Sequence, residues 1–387
     1  LSLTIRLTKL MFSYVLFIGL AAYVMGILNT LKNFAVSAAS YCFLNITLIF
    51  FGLYICPKLK EPVIGMGIAV LIGGILQLAV QLPMLYRKGF RFSFCFNLKH
   101  PAIKKISRLF VPRVIGASIY QLNIVIDTMF ASIGSIVGYQ ATAALYYANR
   151  LIQFPTAIFG IAMATACLPS MSRHVVNNDL AQLKSTLVLS LRLLLILLIP
   201  SALGLFVLSV PITRVLFERG KFNAYSTQIT AIVLMCYCFG IFAYGGVKVV
   251  TSCFYSLKDT RTPVKITFFC LGLNIVLDII FMRPFQAGGL ALATSISAIA
   301  NFIALIFCLR DKIGILGIRK LKVCLMSVCI SSLLMGIFCW FGHKFFTGVF
   351  SKEWVGLLCT ILLGAGVYLF SGWRFGLFKK NGVYTQT

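Results

Sequence analysis

The sequence predicts an all-α polytopic membrane protein of about eleven transmembrane helices, and three observations lead there. Of 387 residues, 60% are hydrophobic and only 11% charged, against about 25% charged in ordinary soluble domains. Apolar stretches of about 20 residues, enough to cross a bilayer at ~1.5 Å rise per residue, recur along the whole chain and leave no soluble domain over. The formal charge of +27 sits in the polar breaks between these stretches. No basic stripe interleaved with base-stacking aromatics accompanies it, so no nucleic-acid partner is expected.

Hydropathy and helix breakers place the spans, in order, at residues 10–31, 37–56, 63–86, 106–133, 138–168, 184–208, 226–255, 262–281, 287–310, 320–341 and 354–376. The longest break, between the third and fourth spans, holds Arg87, Lys88, Arg91, Lys99, Lys104 and Lys105. The positive-inside rule makes it cytoplasmic. Alternation then puts Lys258, Arg261 and Lys265, next Arg310, Lys312, Arg319, Lys320 and Lys322, and finally Arg374, Lys379 and Lys380 on the same side. The uncharged turn from Gly134 to Gly138, between the fourth and fifth spans, falls opposite. This topology leaves residue 1 outside and the C-terminus cytoplasmic. The chain opens on Leu1 with no visible signal peptide, so an odd number of upstream helices is expected to be missing.

A weak internal repeat points the same way. Asn29-Thr30-Leu31-Lys32-Asn33 followed by Leu44-Asn45-Ile46 is similar to Tyr255-Ser256-Leu257-Lys258-Asp259 followed by Leu273-Asn274-Ile275. Matching spans one to three with seven to nine leaves spans four to six without partners. Transporters built from repeats form two helical lobes with a path between them. The expected organisation is therefore residues 1–90 as the second half of an N-terminal lobe, 91–105 as a basic cytoplasmic linker, 106–310 as a six-helix C-terminal lobe, and 311–387 as two additional helices and a tail.

Charge inside the bilayer costs about 2.5–3.5 kcal/mol on insertion scales and marks function. Arg113, Arg192 and Lys248 lie near enough to span ends to snorkel to the headgroups. Arg150 lies about twelve residues into the fifth span, roughly 18 Å down the helix. Tyr146, Asn149, Arg150 and Gln153 recur every three or four residues and so share a helix face, and Pro155 should bend the helix beyond them. A planar cation among amide and phenol groups suits bidentate recognition of phosphate oxygens. Interhelical glue is the other reading of the same stripe.

The intramembrane acids are Asp127 and Asp278, in the outer halves of their spans. Asn274 and Asp278 are an i, i+4 pair, and Thr294 enters from the same side, so all four fall within roughly 10–15 Å of the outer surface. With a free backbone carbonyl near Gly289 or Leu290, they make an all-oxygen cage for a hard cation, for which sodium is preferred because magnesium gives up its water reluctantly. The alternative is that the two acids are protonated or pair with Arg150 or Arg283. The 13 cysteines are scattered singly, as at Cys167, Cys236, Cys238 and Cys324, and read as small packing residues. His100, His174 and His343 are placed in loops or interfaces, and no histidine catalysis or zinc site follows.

Leu145-Tyr146-Tyr147-Ala148-Asn149-Arg150-Leu151-Ile152-Gln153-Phe154-Pro155, then Gly160 and Leu168-Pro169-Ser170-Met171-Ser172-Arg173, resembles the eighth-helix motif of the MurJ (MviN) family. Glu218-Arg219-Gly220-Lys221-Phe222 and Asp259-Thr260-Arg261-Thr262-Pro263-Val264-Lys265 are further matches. The resemblance covers essentially the whole chain, as the family's helices four to fourteen. It implies the two-lobe fold of the multidrug and oligosaccharidyl-lipid exporter superfamily, its first lobe incomplete here, with two extra C-terminal helices that form a groove for a lipid tail. It also implies a cationic central cavity in which Arg150 helps hold a precursor's pyrophosphate, and a sodium site, found in some members, with the residue types of Asp127, Asn274, Asp278 and Thr294. Two departures stand out: Asn149 where the family often has Asp, and Gln153 where an acid is common. The family's other cavity arginines lie on its first two helices, so the chain as given is expected not to transport without them.

The resemblance thus implies a transporter rather than an enzyme, in the bacterial inner membrane: a flippase for the undecaprenyl-pyrophosphate-linked peptidoglycan precursor. It is expected to act as a monomer beside the peptidoglycan synthesis machinery, driven by membrane potential or reset by sodium, with no cofactor for chemistry. Three alternatives remain. The first is an exporter of the same superfamily for drugs or another lipid-linked oligosaccharide, of which the cation-coupled drug exporter would want an acidic rather than cationic cavity. A membrane-embedded transferase would want carboxylates near the cytoplasmic face. A truncated, non-transporting scaffold is the third.

Overall fold

The computed structural model describes residues 2–31, 33–90, 114, 118–119, 121–315 and 319–377. The predicted linker 91–105, Arg113, His100 and most of the first half of the predicted fourth span lie outside the described residues. The described chain is helical throughout, without a strand. It divides into two compact units, Leu1–Ile103 and Lys104–Thr387.

In the first unit, α1 (Ser2–Thr30) and α2 (Phe34–Phe50) both pack on α3 (Pro62–Ala79), and a short α4 (Leu82–Arg87) follows. α2 runs on through a π-turn (Phe51–Ile55) and one 3-10 turn (Cys56–Lys58). Helices in lipid associate through close backbone approach at small residues. Gly73 provides it: a Cβ there would stand 3.2 Å from the Cα of Leu44 and 2.6 Å from its side chain.

The second unit begins with helical residues 121–131 (α5) and a four-residue turn of helix, α6 (Gly134–Val137). α7 (Ala141–Pro155), a π-turn (Thr156–Ile161) and α8 (Ala162–Val176) form one span of 36 residues. The π-turn has a local cause. Pro155 has no N–H to give the Leu151 carbonyl, and the ladder is reset one residue later, with the Thr156 hydroxyl covering Ile152 O at 2.8 Å.

Next come α9 (Leu180–Val207), α10 (Ser209–Phe217), α11 (Ala224–Cys238) and α12 (Ile241–Ser256). The last two make a single span bent by 45°, which is the predicted seventh. α13 (Arg261–Ile313) is 53 residues of helical backbone interrupted at Gln286, φ 50° and ψ −131°. At ~1.5 Å per residue a straight helix of that length would run about 80 Å, far beyond a ~30 Å hydrocarbon core. It turns back on itself instead: a Cβ at Gly289 would stand 2.1 Å from Phe281 O, so only glycine fits where the second arm leaves the first. The arms correspond to the predicted eighth and ninth spans. α14 (Arg319–Val349) and α15 (Glu353–Arg374) pack on each other and on α9.

Among the described residues eight helices are long and apolar enough to cross a membrane, nine with the bent pair. Counting the two arms of α13 separately, this agrees with about eleven predicted spans, one of which lies partly outside the described residues.

Candidate functional site

The predicted Tyr146–Gln153 stripe sits on α7 as expected, but it divides. At roughly 100° per residue the four positions cover an arc of about 100°, with Arg150 at one edge and Asn149 at the other. Two i, i+4 pairs form across that arc. Gln153 Nε2 donates to Asn149 Oδ1 at 2.6 Å, and Arg150 donates to Tyr146 Oη at 3.4 Å with its guanidinium 5.4 Å from the ring centroid.

Asn149 and Gln153 line a cavity of about 420 Å³ inside the second unit, together with Asn123, Asp127, Lys248, Thr267, Thr294, Ser297 and Asn301. Arg150 and Tyr146 are exposed and do not line this cavity. Among the described residues, no acid lies within ion-pairing distance of Arg150.

The four oxygen-bearing residues predicted to converge do so. Asp127 comes from α5, Asn274 and Asp278 from the first arm of α13, and Thr294 from the second. Thr294 Oγ1 stands 3.3 Å from Asp127 Oδ2. Asn274 lies with its amide group 3.2 Å from Asp127 Oδ1. Asp278 is fully buried with its carboxyl against that of Asp127, and neither of its oxygens meets a hydrogen-bond donor from any other described residue. Pairing with Arg150 or Arg283 is not found. The Leu290 carbonyl corrects the expectation of a free backbone oxygen: it accepts the Thr294 hydroxyl at 2.9 Å.

Two members of this cluster were not foreseen. Asn123, one helical turn before Asp127, donates to Asp127 Oδ2 at 3.2 Å and has its Oδ1 2.7 Å from the Asn274 amide; its i, i+4 spacing to Asp127 was the available signal. Tyr237, on α11 and 3% exposed, lies beside Asn149 and beside both Asp127 and Asp278. It therefore stands between the acids and α7. Nothing in the sequence of α11 points there.

Other charged positions moved from their expected places. Lys248, expected at the headgroups, lines the cavity. Arg192, also expected to snorkel, donates instead to Leu377 O at 3.1 Å, tying α9 to the end of the described chain. His343 lies within α14 rather than at a boundary, and His174, in the last turn of α8, contacts Ser170. Cys167, Cys238 and Cys324 are buried and unpaired, as packing residues.

The other two motifs hold the bundle's ends. Tyr147 packs on Phe217 and Phe222, with ring centroids 4.7 and 5.3 Å away, while Glu218 accepts from Thr227 at 2.7 Å. Asp259 caps α13, accepting the backbone N–H of Arg261 and Thr262 at 3.0 Å each and the Thr262 hydroxyl at 2.6 Å, and pairs with Lys312 at the far end of the same element.

A family model described as Lipid II flippase MurJ matches residues 1–359. A probable lipid II flippase MurJ of Vibrio cholerae is 38% identical over 298 residues, 76% of this chain and 56% of the relative. The lipid II flippase MurJ of Burkholderia cenocepacia is 32% identical over 394 residues, 98% of this chain and 74% of the relative. A solved structure described as lipid II flippase MurJ, inward closed conformation, aligns with a TM-score of 0.79 at 28% identity, over 96% of this chain and 74% of that one. The chain thus spans little more than half of the Vibrio relative's length and about three quarters of the other two. With its recurrent apolar helices, such a match makes it a multi-pass inner-membrane protein. Both the family model and the Burkholderia alignment reach across most of the sequence, and the chain belongs to the lipid II flippase MurJ family.

Proposed function

We propose that this chain serves in flipping lipid II, the undecaprenyl-pyrophosphate-linked peptidoglycan precursor, from the cytoplasmic to the outer leaflet by alternating access, for cell-wall synthesis. The observation that carries the proposal is Arg150. Its guanidinium is held within a membrane span by Tyr146 through one hydrogen bond and one ring face, with no acid among the described residues to neutralise it. The remaining guanidinium donors are free to take two phosphate oxygens at once. Asn149 and Gln153, coupled to each other one step around the helix, add amide groups for the polar headgroup. The lipid tail stays in the bilayer. A membrane potential of 100 mV is worth ~2.3 kcal/mol per charge moved, an adequate drive for an anionic headgroup.

Asp127, Asn274, Asp278 and Thr294 fit a sodium ion. The ligating atoms are all oxygen, and apart from the Asp127 carboxyl the two buried oxygens of Asp278 lack partners among the described residues. Bound there, sodium would supply the positive charge that lets both carboxylates stay ionised. The proposal extends to a monomer working beside the peptidoglycan synthesis machinery, with a cytoplasmic C-terminus. It also keeps the division into 1–90, 91–105, 106–310 and 311–387.

The test is complementation of a MurJ-depleted strain. Arg150→Ala should fail to support growth, while Arg192→Ala, which loses a tie to the chain end, should support it. Equal tolerance of both removes Arg150 from the mechanism.

A further inference from the structure

We infer that the cavity of the second unit is an aqueous access path by which a small monovalent cation reaches the Asp127–Asp278 pair, with Thr294, Ser297 and Asn301 as its oxygen-bearing wall. This rests on the cation reading of that pair given above.

The acids are not equally placed. Asp127 and Thr294 line the cavity, whereas Asp278 and Asn274 do not and are 0% and 1% exposed. The cluster therefore opens to the cavity through Asp127 and closes at Asp278. From Thr294 the second arm of α13 continues with Ser297 and Asn301, three and seven residues on. That spacing keeps all three on one helix face over roughly 10 Å of rise.

Ser297 Oγ and Asn301 Oδ1 are buried, at 6% and 8% residue exposure, and have no hydrogen-bond partner among the described residues. Asn301 spends its amide nitrogen on Thr267 Oγ1 at 3.4 Å, which leaves the carbonyl oxygen for something else. Buried polar atoms are normally satisfied, and both residues line a space of about 420 Å³, enough for roughly ten or more waters. Waters there would satisfy the two oxygens, and those same oxygens can replace waters around an ion in transit. Lys248 lines the same space, and its ammonium opposes cation entry and sets the entry rate.

A path residue differs from a ligand in kinetics: it alters entry and exit together and leaves the equilibrium alone. The full chain, reconstituted in lipid nanodiscs, is titrated with sodium alone. Affinity and exchange rate are read by ²³Na relaxation dispersion, with folding checked by thermal unfolding. Ser297→Ala with Asn301→Leu should slow entry and exit roughly tenfold while the dissociation constant stays within about twofold. Asp278→Asn should instead abolish saturable binding. Two gains accompany these losses and do not depend on the apolar variant folding. Asn301→Asp should speed entry, and Lys248→Gln should speed it roughly threefold, by less as ionic strength rises.

Unchanged exchange in all three path variants, with sodium still bound, overturns the path and leaves the cation site standing. A loss of affinity in the Ser297/Asn301 variant equal to that of Asp278→Asn makes these residues ligands and also overturns it. No saturable sodium binding by the parent chain defeats the cation reading and the path with it.

Discussion

The Tyr368 hydroxyl donates to the Ile196 carbonyl at 2.7 Å, and that carbonyl is the one Pro200, four residues further along α9, cannot serve. Proline inside a helix removes the i to i−4 bond and leaves a buried acceptor; here α15 supplies the missing donor from 172 residues away in sequence. Pro200 thereby creates a docking point for the C-terminal helices.

Tyr368→Phe should therefore lower stability by about 1–3 kcal/mol, the cost of an unsatisfied buried acceptor, read by chemical unfolding in detergent. In the Pro200→Ala background the backbone N–H returns to Ile196, and the cost of Tyr368→Phe should fall to well under half. Additive effects of the two changes would show that they do not share this carbonyl.

Asp259 makes a prediction about acid. Partial burial raises its pKa, but hydrogen bonds from Lys312 and Thr262 outweigh burial and hold the carboxyl well below its ordinary value. A depressed pKa adds stability that is present above the unfolded value, near 4, and is lost as pH falls through the lower folded value. Melting temperature should thus be flat between about pH 7 and 5 with respect to this group and fall below about pH 4. Asp259→Asn should cost about 1–2 kcal/mol at pH 7 and show less of the acid-dependent fall.

Gly289→Ala tests the reversal within α13. The added methyl meets the Phe281 carbonyl at 2.1 Å, a backbone atom that cannot rotate away, so the arms must separate. A loss of about 3 kcal/mol or more is expected, with Asp278 and Thr294 drawn apart. Gly272→Ala, whose Cβ would meet nothing within 4 Å, is the control and should be near neutral or slightly stabilising.

Tyr237→Phe removes the phenol between Asn149 and the two acids. If that phenol transmits occupancy of the acid cluster to α7, the variant should still bind sodium within about threefold of the parent, yet sodium should no longer shift the affinity for a pyrophosphate-bearing polyprenyl lipid. Retention of that shift, measured by lipid titration with and without sodium, would count against Tyr237 as the link.

Most spans were legible because hydropathy is a local property and a bilayer fixes their length. Intramembrane charge was legible for the same reason, and Asp127, Asn274, Asp278 and Thr294 fall together much as helix rise and a common entry side required. What the sequence hid was angular or distant. Arg150 and Asn149 are neighbours in the chain yet face different surroundings, which a three-or-four-residue rule blurs. Lys248 read as a snorkelling lysine because depth along a span is visible in sequence and the direction it faces is not. Tyr237 became visible only once α5, α7, α11 and both arms of α13 were packed.

The π-turn at Thr156–Ile161 has a consequence for how the Arg150 span tolerates change in length. A π-turn is a helix holding one surplus residue without rotating the faces on either side of it. Removing a single residue from this segment would let it relax into ordinary helix while Asn149 above and Met171 below keep their bearings. The same deletion a turn earlier would swing every later side chain by about 100°. The span thus carries its own spare link, placed one residue after the proline that made it necessary.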